Sequence, residues 1–192
     1  MRLGRIVVAS QNPDKIEEIE TVLTAVDPEI EVVQGLTWPE VEETEPTLAG
    51  NALLKAEAVH DHTGYPAVAD DTGLEVAALG GAPGVMTARF SGPKATYASN
   101  VAKLLSELDG VADRRARFRT AVALVRPGLP ALLAEGRLEG TIAESPRGGG
   151  GFGYDPVFEV DGTTLAEMTP QRKHAVSHRA RALRALADLL AK

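Results

Sequence analysis

The chain has no cysteine. That excludes a disulfide scaffold, a thiolate zinc site and a cysteine nucleophile. It also lacks any apolar run near the ~20 residues that a membrane span needs. Basic residues are in the minority, with 20 Lys plus Arg against 27 Asp plus Glu and a net charge of -7. Such a chain binds nucleic acid or anionic membrane poorly, and no basic stripe offsets this. The apolar part of MRLGRIVVASQN is too short for a signal peptide and has no small-residue cleavage pattern, so a soluble cytoplasmic protein is expected. There is no internal repeat and no long linker. With 192 residues, 44% of them apolar, a single domain over residues 1–192 is expected.

The pattern of elements narrows the fold. Leu3 to Ala9 reads as a buried strand. Asn12 is a plausible N-cap, Pro13 suits a first helical position, and Ile16, Ile19, Leu23 and Val26 recur at helical spacing up to Pro28. Glu29 to Gln34 alternates like a strand, residues 35–46 form an acidic loop, and a helix is expected from Thr47 to His60. Ala67–Ala69 reads as a short strand running into Asp70–Gly73, and Tyr97 to Leu108 as a helix. Arg117–Arg126 and Ala131–Gly140 look like a hairpin around Pro127–Pro130. A Gly-rich loop from Ser145 to Asp155 precedes a strand at Pro156–Val160, and a helical region starts at Thr169–Pro170. Alternating helices and strands followed by a hairpin argue for an α/β protein with a mixed sheet.

Four segments carry candidate chemistry. Ser10, Gln11, Asn12, Pro13, Asp14 and Lys15 form a strand–turn–helix junction, whose free N–H groups and lysine would attract an anion such as phosphate. A plain helix cap explains the same residues. Asp70 and Asp71 at a strand end are hard oxygen ligands suited to Mg²⁺, and Glu42 with its acidic neighbours would complete such a site. An Asp-rich turn is the alternative. In Gly148–Pro156, Phe152 or Tyr154 would stack on a base and Asp155 would accept from ring N–H groups. In Lys173–Arg179, Lys173 and His178 are five residues apart and point about 140° apart on a straight helix. They share a pocket only if the helix breaks, and Ser177 is a credible cap for a new one.

These segments, in this order and over nearly the whole chain, resemble the inosine triphosphate pyrophosphatase family. The most specific stretches are GGFGYDP at Gly150–Pro156, SHR at Ser177–Arg179 and ADDTGL at Ala69–Leu74. Gly80–Gly84, Ala88–Gly92 and Asn51–Lys55 also look like the family. The resemblance implies a single catalytic domain with a mixed central sheet flanked by helices, a smaller lobe and an active-site cleft between them. It implies Mg²⁺-dependent hydrolysis of aberrant purine nucleoside triphosphates (ITP, dITP, XTP) to monophosphate and pyrophosphate. It also implies a homodimer. By its pattern, Ser10 to Lys15 and Lys55 hold the triphosphate, Glu42 and Asp71 bind the metal, and Asp71 accepts the proton. Thr72 contacts substrate. Phe152, Gly153, Tyr154, Asp155, Lys173, His178 and Arg179 contact the base. Ser10 stands where the family has Thr, Gln11 where it has Gly, and Thr72 where it has Ser.

Overall fold

Ile6, Val7 and Val8 are almost wholly buried, and this apolar run forms strand β1 (Arg5–Val8). The computed structural model describes residues 4–191, so Leu3, expected to open this strand, lies outside the described residues. Helix α1 (Pro13–Val26) begins where Asn12 caps it, its side chain accepting from the Asp14 N–H at 3.0 Å. Pro28 disfavours helix in the residue before it, and α1 ends at Val26. Strand β2 is reduced to Glu31–Val32. Helix α2 (Leu48–Thr63) is capped by Thr47 and closed by Gly64 at φ +72°, the left-handed geometry that glycine adopts most readily.

Strand β3 (Ala67–Val76) is longer than the sequence suggested. The Asp-Asp-Thr-Gly stretch, for which a turn was the alternative, is extended strand. The antiparallel pair Leu74↔Gly84 and Glu75↔Pro83 with β4 (Pro83–Gly84) carries the ladder past it. Side chains alternate along a strand, so Asp70 and Asp71 point to opposite faces. Then follow α3 (Tyr97–Glu107), β5 (Arg115–Arg126), β6 (Leu129–Ile142), β7 (Phe158–Val160), β8 (Thr163–Thr164), α4 (Pro170–Val176) and α5 (His178–Leu190). Among the described residues the strands form one mixed sheet in the order β2-β1-β3-β5-β6-β7-β8, with β4 beside β3. β1 pairs in parallel with β2 and β3, whereas β6, β7 and β8 pair antiparallel. No helix among the described residues is long and apolar enough to cross a membrane.

The chain divides into two compact units. The first comprises Met1–Asp71, Thr120–Gly136 and His178–Lys192, and the second Thr72–Arg119 and Arg137–Ser177. Each has its own core. In the first unit Ile6, Val8, Ile19, Leu23, Val68, Leu124, Leu183 and Leu186 pack together. In the second, Leu74, Leu104, Phe118, Tyr154, Phe158 and Leu165 do so, with the Phe118 and Phe158 rings 4.6 Å apart.

Gly136 marks where β6 and α5 meet. A Cβ there would lie 2.1 Å from the His178 carbonyl oxygen and 2.4 Å from the Ala182 nitrogen. Gly136→Ala must displace backbone, so a loss of about 1–3 kcal/mol is expected in urea unfolding.

Candidate active site

Within the first unit, charged side chains from distant parts of the sequence converge on Asp70 and Asp71. Asp70 is almost fully buried, as is Arg179. Arg179, near the start of α5, donates from Nε to Asp70 Oδ2 at 3.1 Å, and its Nη1 donates to Glu18 of α1. Lys15, one turn into α1, places Nζ 3.3 Å from Asp70 Oδ1. Burial by itself would raise the Asp70 carboxyl. Lys15 and Arg179 outweigh it and hold the group far below the usual carboxylate range.

Asp71 meets a different set of groups. Lys55 on α2 sits 3.7 Å from Asp71 Oδ1 and 2.6 Å from Glu43 Oε1. Asn51, one turn before Lys55, donates from Nδ2 to Asp71 Oδ2 at 3.2 Å. Burial raises the Asp71 carboxyl above its ordinary value, Lys55 opposes the shift and Glu43 adds to it. Lys55 is raised, because Asp71, Asp70 and Glu43 together overcome its burial. Of the neighbouring acids, Glu42 is exposed and Glu43 half-buried, and it is Glu43 that faces the ammonium.

The turn before α1 is built as a cradle. Ser10 Oγ accepts the Asn12 N–H at 3.1 Å, while Gln11, Pro13 and Asp14 are exposed. Beside it, a cavity of about 390 Å³ is lined by Ser10, Gln11, Ile16, Gln34 and Trp38 among others. His178 is buried, its Nδ1 2.5 Å from Thr120 Oγ1.

The second unit carries the aromatic loop. Asp155 Oδ2 accepts the Phe152 N–H at 2.8 Å and the Lys173 ammonium at 2.7 Å. Lys173 Nζ also lies 4.7 Å from the Phe152 ring centroid, within cation–π range. Tyr97, at the start of α3, places its ring 6.0 Å from that of Phe152. Gly151 has φ +68°, and a Cβ there would lie 2.1 Å from Asp155 Oδ2, so this turn requires glycine. Phe152 and Gly153 are half-buried, as is Thr72 on β3. Tyr154 is buried in the core and donates to the Thr87 carbonyl at 2.9 Å. The expected helix break is present, with Ser177 extended at φ -61° and ψ 149° between α4 and α5.

The sequence reading missed Glu18, Glu43, Asn51, Thr120 and Tyr97. Glu18 had a signal, since it lies one turn before Val22 on the buried face of α1 and its charge there requires a partner. Asn51 figures only as part of the Asn51–Lys55 stretch, without a role, and Thr120 had no signal, because their partners lie 20 and 58 residues away.

The model of the Ham1 family matches residues 6–189. The chain belongs to the Ham1 family. Among its relatives, a protein of Methylococcus capsulatus named dITP/XTP pyrophosphatase is 48% identical, over 97% of this chain and 96% of its own length. One of Geobacillus kaustophilus with the same name is 47% identical, over 94% of this chain and 91% of its own. Two solved Ham1 structures share the fold, each at a TM-score of 0.86 over 97% of this chain and 98% of their own. The Staphylococcus aureus Ham1 protein is 35% identical and that of Coxiella burnetii 42%. The motif resemblance and the α/β fold with its mixed sheet are thus borne out.

The Asp70–Arg179–Glu18 arrangement yields a stability prediction. Arg179→Met would strand two buried carboxylates, and a loss of about 3–5 kcal/mol is expected by urea or thermal unfolding. Unchanged stability would mean that Arg179 does not hold Asp70.

Proposed function

We propose that this Ham1-family chain hydrolyses aberrant purine nucleoside triphosphates such as dITP, ITP and XTP to monophosphate and pyrophosphate. The names of its relatives, which align over nearly full length, support the substrate class. The observation that carries the reading is the gathering of Lys15, Lys55, Asp70 and Asp71 around one strand segment. Two ammonium groups beside an acid pair suit a polyphosphate and the divalent ion that accompanies it.

Mg²⁺ fits the residues present. It takes one or two carboxylates and completes its shell with water and substrate phosphates. Asp71 supplies one carboxylate and the Glu42–Glu43 pair the other. The raised Asp71 carboxyl is a group that a cation would relieve. Among the described residues no cluster of three or more His, Asp or Glu stands ready for a metal, in keeping with an ion that arrives partly ligated by phosphate. When bound, Mg²⁺ would neutralise charge on the phosphates and the leaving pyrophosphate.

The chain's own residues do the rest. The Lys15 and Lys55 ammonium groups, with the turn from Ser10 to Lys15 beside them, hold and orient the triphosphate. Asp71 takes the proton from the water that attacks the α-phosphorus. The new P–O bond forms as the α–β anhydride breaks, and pyrophosphate leaves with the bonding electrons.

In the second unit, Phe152 offers a stacking face, and Lys173 beside it offers a donor to a 6-oxo group. Asp155 orients both. Thr72 contributes a hydroxyl to substrate. Adenine carries a donor at that position and would meet donor with donor, a mismatch worth ~10⁴-fold or more in a site built for the bond. For His178 and Arg179, base contact rests on the family pattern, while their geometry supports holding Thr120 and Asp70. A homodimer belongs to the same reading and rests on the family pattern alone. The cytoplasm is the compartment where its substrates occur.

A panel of nucleoside triphosphates with Mg²⁺, scored separately for pyrophosphate and orthophosphate, tests the reaction. Pyrophosphate is expected from ITP, dITP and XTP and little from ATP, and EDTA is expected to stop the reaction. Release of orthophosphate alone would refute it. Asp71→Asn is expected to abolish turnover while nucleotide binding survives; near-normal turnover would remove Asp71 as the base. Of the two acids, Glu43→Gln is expected to raise the Mg²⁺ requirement more than Glu42→Gln, measured by magnesium titration of the rate.

A further inference from the structure

Asn51 is 1% exposed, and each end of its amide has a defined partner. Its Nδ2 donates to Asp71 Oδ2 at 3.2 Å. Its Oδ1 accepts the Glu45 backbone N–H at 2.9 Å. The residue stands in the first turn of α2, whose cap Thr47 accepts from the neighbouring Gly50 N–H. One short, rigid side chain thus joins the end of the acidic segment, the start of a capped helix and the carboxylate on β3. A side chain at Gly50 would meet Glu45 Cβ at 2.8 Å, so the acidic segment is pressed against this turn of α2.

We propose that Asn51 is a positioning residue that holds Asp71 and the Glu43–Glu45 segment in one arrangement before any ligand arrives. The proposal rests on the reading that Asp71 serves as metal ligand and base. Two acids near one ammonium repel each other, and a flexible loop would relax by moving apart. The Glu45 bond prevents that by tying the segment to α2. The Nδ2 bond occupies one Asp71 oxygen and fixes the carboxylate plane, which leaves Oδ1 on the Lys55 side. A carboxylate held this way presents a defined lone pair to a metal or a water. Partners that orient a ligand in this manner typically contribute 10–100-fold to metal affinity or rate.

The test uses the full chain, Mn²⁺ as a paramagnetic probe and two readouts beyond activity. Asn51→Ala is expected to weaken Mn²⁺ binding, followed by electron paramagnetic resonance, and to lower kcat on ITP by about 10–100-fold each. KM for ITP should change far less, since the phosphate lysines remain. A merely structural role would lower the melting temperature and leave the Mn²⁺ affinity of the folded protein alone.

If Asn51→Ala fails to fold, the wild-type protein still decides. The chain has only three asparagines, Asn12, Asn51 and Asn100. Selective ¹⁵N-asparagine labelling therefore gives three side-chain amide signals. The Asn51 signal is expected to shift when Mg²⁺ is titrated in with inorganic pyrophosphate, and the Asn100 signal to stay. An unmoved Asn51 signal in protein that binds Mn²⁺ would overturn the proposal. So would wild-type Mn²⁺ affinity and kcat in folded Asn51→Ala. Wild-type protein that bound no Mn²⁺ and released no pyrophosphate from ITP would overturn the metal reading itself, and this proposal with it.

Discussion

The buried pairing of Asp70 with Arg179 is the constraint on which the rest of the first unit depends. An ionised carboxylate in a protein interior is costly unless charges and hydrogen bonds meet it on several sides. Here Arg179 meets it from α5 and Lys15 approaches from α1, while Glu18 takes the other side of the guanidinium. The network ties two helices that are far apart in sequence to one strand. It also fixes the start of α1, beside the turn proposed to bind phosphate. A group that costs stability to bury thus sets the position of the groups that would carry the chemistry.

The alternation of a strand gives the adjacent acids separate duties. Asp70 faces Lys15 and Arg179 and is held ionised. Asp71 faces Lys55, Asn51 and the acidic segment, and its carboxyl is raised. Had the two residues lain in a turn, as their composition suggests, they would have competed for the same cations. The second unit shows a parallel economy. Asp155 orders its own loop through the Phe152 N–H and holds Lys173 beside the Phe152 ring. One buried carboxylate thereby positions both the Phe152 ring and the Lys173 ammonium.

Much of the fold was legible because it rests on local signals. The Asn12–Pro13 start of α1, the start of α2 at Thr47 and the break at Ser177 follow from residue chemistry within a few positions, whereas the turn expected over Pro127–Pro130 is confined to Pro127–Gly128, Leu129 and Pro130 being already in β6. The extent of β3 was not legible. Asp and Gly favour turns by themselves, and only pairing with Pro83–Gly84 holds them extended. The short β8 at Thr163–Thr164 likewise owes its conformation to its partner β7.

The sequence by itself determined the family and where most helices begin, because motifs and caps are encoded by neighbours along the chain. Tertiary structure decided what each of those residues does. It turned Tyr154 into a core residue, put Glu43 rather than Glu42 against Lys55, spent Arg179 on Asp70 and brought in Asn51. These outcomes depend on burial and on charges that meet across tens of residues. Which of two adjacent acids faces inward is settled only when the chain packs against itself.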